Sequence, residues 1–232
     1  MAPLTPGLDR LRARIEREPS MNAGKVAAFV KEAAISEDDL RSYTDFAHPP
    51  EDGYGRQMVY QGKHFEIMVM SWLPGDYSAV HDHGHTSWGA VQVFGHVMHQ
   101  TFAVKKGVFT LSKKEILPYG SVVKVNNPLI HQMGNITSGP YLTLHIYGND
   151  AYEGEVTADA RIFELETGLI KHTNGGAFFN LPDHQVYDVE EMPEIDPETL
   201  IHQAAILLQY YQRYDKEKQT NLSRKLINRL NL

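Results

Sequence analysis

The sequence predicts a mainly β fold, a barrel or sandwich of short strands with helical segments at both ends. Three observations predict it. The stretch that follows residue 55 is rich in β-branched, aromatic and methionine residues and is cut into short runs by Gly, Pro and Asn. Residues 8–17 and 25–34, ahead of it, have helical composition. Far beyond it, Asp196 has the character of a helix cap with Pro197 at the first helical position.

The elements follow in order. Ser36 with Asp39 three residues later forms a capping-box pattern for a short third helix. Residues 48–55, with Pro49-Pro50 and two glycines, form a loop. Strands are expected at 65–73, 88–94, 97–104, 108–111, 121–125 and 141–147, and a hairpin at 161–173 about Thr167-Gly168. Residues 183–197 read as an acidic linker, after which Ile201, Ala204, Ala205, Leu208 and Tyr211 form an apolar stripe at helical spacing. The expected organisation is a helical segment at 1–47, a barrel at 48–182, and a linker with a helical extension at 183–232.

A chain of 232 residues with 42% hydrophobic content supports one sizeable core. A net charge of -7 argues against binding nucleic acid or anionic membrane by bulk electrostatics, and favours a small-molecule partner. No apolar run reaches membrane-spanning length, and the charge and proline of residues 1–20 do not suit a signal peptide. The expected location is the cytoplasm; oligomeric state is not legible. With no cysteine, any metal must sit on imidazole or oxygen.

His81 and His83 stand two apart, so in an extended strand both imidazoles leave one face and Asp82 the other. His131 lies far along the chain, where a loop or strand start could bring it across a barrel. Three such ligands leave positions open for substrate or oxygen. Three neutral imidazoles also leave a divalent ion its full charge, which favours an anionic ligand such as a thiolate or carboxylate. This chemistry permits iron, zinc or manganese. His85, His96 and His99 are expected at the surface, and His64, His172, His184 and His202 show no pattern.

The spacing resembles the two cupin motifs: Gly75, His81, His83 and Gly95, then Gly120, His131 and Asn135. The resemblance implies a double-stranded β-helix barrel. Trp88 occupies the usual glutamate position, and Asn126 and Pro128 replace the Pro and Gly before the third histidine. Over residues 39–181 the chain further resembles cysteine dioxygenase and its thiol dioxygenase relatives, cupins that convert a thiol to a sulfinate with O₂ at a three-histidine iron centre. That resemblance implies Fe(II) on His81, His83 and His131. It implies a carboxylate clamp at Arg56 in Tyr54-Gly55-Arg56, with Tyr54 also at the substrate. It implies an outer relay at Thr143, His145 and Tyr147, with threonine in place of the family's serine. Alternation agrees, since these three share one strand face while Leu142, Leu144 and Ile146 take the other.

Two departures bear on the pocket. Trp88 stands where animal enzymes carry the cysteine crosslinked to the tyrosine, and is expected to shape the pocket if it points inward. Gly148-Asn149-Asp150 replaces a common Ser-Pro-Pro turn. The function implied is an iron-dependent dioxygenase acting on a small thiol acid, L-cysteine first and 3-mercaptopropionate next. A cupin oxygenase acting on another substrate and a non-catalytic metal-binding cupin are the alternatives.

Overall fold

A computed structural model describes residues 3–213 and 215–230. Three helices come first: α1 (Pro6–Arg17), α2 (Ala23–Ala33) and α3 (Glu37–Leu40). The Asn22 side chain caps α2 by accepting from Lys25 N, and Ser36 with Asp39 closes the expected capping box on α3. The strands are β1 (Gly55–Gln61), β2 (Phe65–Trp72), β3 (Trp88–Val93), β4 (Val97–Lys105), β5 (Val108–Leu117), β6 (Val122–Asn126), β7 (Ile130–Gly134), β8 (Tyr141–Gly148), β9 (Ala160–Glu164), β10 (Leu169–Thr173), β11 (Val186–Glu191) and β12 (Glu194–Ile195). Two helices close the chain, α4 (Pro197–Gln212) and α5 (Lys216–Leu230).

A five-stranded sheet of order β1-β2-β8-β3-β6 faces a four-stranded sheet of order β12-β5-β4-β7. Met68, Met70 and Trp72 of one sheet share a core with Val97, Leu117 and Met133 of the other. This is the cupin-type double-stranded β-helix, with helices at both ends. The outer face of the five-stranded sheet is also apolar: Ile67, Val69, Trp88, Ala90, Leu142, Leu144 and Ile146 pack under α1 and α2 against Leu8, Leu11, Val26 and Val30. Strand β8 therefore lies in mid-sheet and is buried on both faces along its whole length.

Four expectations change. Strands β1 and β7 join those read from the sequence, and β5 runs on to Leu117 because, past a bulge at Ser112, Lys113 and Lys114 continue the ladder with Thr101 and Gln100 of β4. Residues 183–197 are not a free linker. Val186–Glu191 pairs antiparallel with β10, and Glu194–Ile195 pairs parallel with β5; the exposed acidic side chains suit an uncovered sheet edge. On α4 the buried face is Thr199, Leu200, Gln203, Ala204, Ile206, Leu207, Tyr210 and Tyr211, while Ile201 points to solvent. Apolar residues surround most of that helix, so spacing alone did not select the face. A second helix, α5, follows, and Leu222 packs against Leu207, Tyr210 and Tyr211.

His172 on β10 ties β11 down, with Nδ1 2.7 Å from Asp159 Oδ1 and Nε2 2.8 Å from Glu190 Oε1. Burial pulls its pKa down, but the two carboxylates outweigh that and hold it above the ordinary value. A raised folded pKa gives stability fully present below the unfolded value of about 6.5 and lost as pH rises through the folded value. Hydrogen exchange at β11 amides, corrected for intrinsic rates, is expected to quicken above that range. His172→Gln should remove the pH dependence. Wild-type β11 protection that stays flat across the range would contradict this role.

Candidate metal centre

The ligand segment around His81 and His83 is extended but is not a regular strand; it is held by isolated bridges. His81 N donates to His131 O at 2.9 Å and His131 N donates to His81 O at 2.9 Å. That reciprocal pair sets two imidazoles directly opposite each other, with His83 two residues along on the same side. Strand β9 fastens the segment from its other edge, through Phe163 N to Val80 O and Asp82 N to Arg161 O. Asp82 turns away from the cluster, accepting from Arg161 N at 2.8 Å and Arg161 Nε at 2.7 Å.

The three rings converge with centroid separations of 5.2 Å (His81–His83), 4.7 Å (His81–His131) and 4.8 Å (His83–His131). One nitrogen from each lies within 4.8 Å of the others. His81 Nδ1 is occupied by Ala79 O at 2.9 Å, and the Nε2 atoms of His83 and His131 are buried without a hydrogen-bond partner. Burial first, and charge repulsion among neighbouring histidines second, lower the pKa of His83 and His131 well below the ordinary value; burial also lowers His81. Three neutral, converging, unpartnered nitrogens are what a divalent ion at about 2.0–2.1 Å requires, so the residues fit a metal. A second group, His172, Asp188 and Glu190, is mostly exposed, and both His172 nitrogens are already engaged.

The centre opens into a cavity whose wall includes Tyr54, Arg56, Met68, Met70, Trp72, His145, Tyr147 and Thr157. On β8, Thr143 Oγ1 lies 2.7 Å from His145 Nε2, and His145 Nδ1 lies 2.7 Å from the Tyr147 hydroxyl. Trp72 Nε1 donates to Thr143 Oγ1 at 2.9 Å and extends the line back into the core. The line therefore runs unbroken from the indole through Thr143 and His145 to the phenol. Burial, followed by the charges of His81 and Arg56, pushes His145 down to about 3, and burial raises Tyr147, so the relay is a neutral imidazole and a neutral phenol. Tyr147 sits against His83 at 4.9 Å between ring centroids.

Arg56 on β1 reaches the same cavity, and its Nε is buried without a hydrogen-bond partner. Tyr54 is a wall. Its ring stacks between Trp72 and Phe178, and its hydroxyl accepts from Ala177 N at 3.2 Å. Glu66, unnoticed in the sequence, is fully buried, and Thr157 Oγ1 donates to its Oε2 at 2.9 Å; burial raises its pKa while Thr157 and Arg56 oppose the rise.

Trp88 does not shape this cavity. Alternation along β3 sends Val91 and Val93 inward and Trp88 outward, into the core beneath the helices, where it is 3% exposed. Its Nε1 donates to Asp150 Oδ1 at 2.8 Å, and a Cβ on Gly148 would lie 2.1 Å from the indole. The departures at 88, 148 and 150 are thus one packing unit. Gly89 is the residue of β3 that lies against Tyr147, where a Cβ would meet the ring at 2.9 Å. Trp88→Phe is expected to cost about 1–3 kcal/mol, through the volume it leaves unfilled in the core beneath the helices, and to leave metal affinity unchanged in a titration. A large loss of affinity in that variant would contradict the outward placement. His99 also differs from expectation: it is 4% exposed, and its Nε2 lies 3.1 Å from His131 Nδ1.

A mainly β double-stranded helix with a converging three-histidine cluster defines a cupin-type barrel with a candidate metal site. The family model described as cysteine dioxygenase type I matches residues 7–151, more than half of the sequence, and the chain belongs to that family. The match begins in α1, ahead of the span from residue 39 read from the sequence, consistent with α1 and α2 packing on the barrel. Among solved structures, an uncharacterized conserved protein with a double-stranded β-helix domain from Klebsiella pneumoniae is similar at 16% identity, covering 47% of this chain and 85% of its own, with a TM-score of 0.36. A Cupin 2 conserved barrel domain protein from Salinispora arenicola is similar at 16% identity over 46% of this chain and 86% of its own, with a TM-score of 0.34. Among the described residues no helix is long and apolar enough to cross a membrane.

Proposed function

We propose that this chain is an iron-dependent thiol dioxygenase that places both atoms of O₂ on the sulfur of a small thiol-bearing carboxylic acid, L-cysteine being the first choice. One observation carries the reading: a neutral three-histidine cluster, an arginine Nε without a hydrogen-bond partner and a phenol at the end of a hydrogen-bonded relay meet in a single buried cavity. The reaction RSH + O₂ → RSO₂⁻ + H⁺ balances without a further reductant, because sulfur gives up the four electrons that O₂ takes. Iron held by His81, His83 and His131 would supply one-electron redox chemistry and a cationic seat for a thiolate.

The chain's own residues do the rest. Arg56 receives the substrate carboxylate, and a planar guanidinium can fix its orientation through two parallel hydrogen bonds. Tyr147, in the tautomer in which His145 Nδ1 donates to it, gives its hydroxyl hydrogen to an oxygen at the reacting end, and His145 and Thr143 hold the phenol in place. Met68, Met70 and Trp72 keep the wall apolar and limit water. Loading with Fe(II) under anaerobic conditions, then supplying O₂ with a panel of thiols, is expected to consume one O₂ per L-cysteine and to yield the sulfinate by mass spectrometry. Absence of a sulfinate from every thiol would overturn the reading. In Arg56→Lys, loss of the paired charge-assisted bonds is expected to lower kcat/KM for L-cysteine roughly 10–100-fold. The same variant should show little change toward a thiol lacking a carboxylate; an equal loss for both would remove the clamp role.

A further inference from the structure

The three histidines are not held alike. His81 is oriented by a backbone carbonyl, Ala79 O, at 2.9 Å. His131 instead meets a second imidazole, with its Nδ1 3.1 Å from His99 Nε2, and His99 Nδ1 lies 3.3 Å from Glu115 Oε1. His99 is buried, while the Glu115 side chain is about one-third exposed and bridges to Lys113 Nζ at 2.7 Å. Strands β4, β5 and β7 build this line, since β4 pairs with both of the others. The hydrogens follow in one order. A metal on His131 Nε2 leaves a hydrogen on Nδ1, which donates to His99 Nε2; His99 then carries its hydrogen on Nδ1 and donates it to the carboxylate.

We propose that His99 and Glu115 are positioning residues for His131: they aim its Nε2 into the cluster and lend a ligand set without a carboxylate the negative charge it lacks, favouring the higher oxidation state of iron. The charge is delivered through two imidazoles rather than by direct ligation, since Asp82 is turned away onto Arg161. This inference rests on the iron reading above.

The test compares full-length wild type, His99→Leu and Glu115→Gln by Fe(II) titration against a chromophoric chelator and by a redox titration followed by electron paramagnetic resonance. His99→Leu is expected to weaken Fe(II) binding about 10–100-fold. Glu115→Gln keeps a hydrogen-bonding side chain and loses the charge. It is expected to lower the preference for Fe(III) over Fe(II) about tenfold, a rise of about 59 mV for one electron. A wild-type midpoint potential in Glu115→Gln, or wild-type affinity in a folded His99→Leu, would overturn the proposal. Should His99→Leu fail to fold, the partly exposed Glu115→Gln decides by itself. Wild-type protein that binds no Fe(II) would instead defeat the iron reading, and this inference with it.

Discussion

His131→Ala is expected to abolish stoichiometric Fe(II) binding and, with it, oxygen consumption. His131 is 2% exposed, its Nε2 has no other partner, and its backbone is locked to His81 by two hydrogen bonds, so its loss removes one of the three converging ligand nitrogens. The nearest carboxylate in sequence to the ligands, Asp82, is committed to Arg161. Losing an outer-shell partner of a metal typically costs about 10–100-fold in affinity, and losing a ligand should cost more. In wild type, iron at about a hundred times its dissociation constant should stabilise the fold by about 2.7 kcal/mol, a rise of roughly 5–10 °C in Tm for a chain of this size. The variant should show no such rise. Retained stoichiometric iron in His131→Ala would remove it from the ligand set.

Tyr147→Phe carries the second large effect. The phenol is the last member of a chain that runs from Trp72 through Thr143 and His145, and it lines the cavity beside the histidine cluster. A positioned proton donor contributes about 10²–10⁴-fold to a rate, so kcat should fall by that range. Iron affinity should stay near wild type, because Tyr147 touches the His83 ring and does not orient a ligand nitrogen. Stability should fall by about 1–3 kcal/mol, since His145 Nδ1 would be buried without its partner. Single-turnover kinetics paired with iron titration checks both halves; unchanged kcat would remove the phenol from the chemistry.

The centre was legible where polarity alternates or spacing repeats. Thr143, His145 and Tyr147 interrupt an apolar strand on every second residue, and the structure places them on one face with two hydrogen bonds of 2.7 Å. His81, His83 and His131 stand at cupin spacings and converge. Strand β3 gave no such guide, because Trp88, Ala90, Val91 and Val93 are apolar on both faces of a sheet covered by helices on one side and the opposite sheet on the other. The direction of Trp88 depended on pairing that no single strand reveals. His99 was hidden for a related reason: it lies in a run buried on both faces, and its partners are 32 and 16 residues away, joined only by strand register. Residues 186–191 looked like a linker because an exposed edge strand carries the charges of one.

The most direct test of the central claim is turnover of L-cysteine by the Fe(II)-loaded protein under isotopically labelled O₂, with the product analysed by mass spectrometry. The account predicts a sulfinate that carries both labelled oxygen atoms in wild type, with none formed by His131→Ala. Disulfide as the sole product, or a sulfinate whose oxygen comes from water, would contradict it.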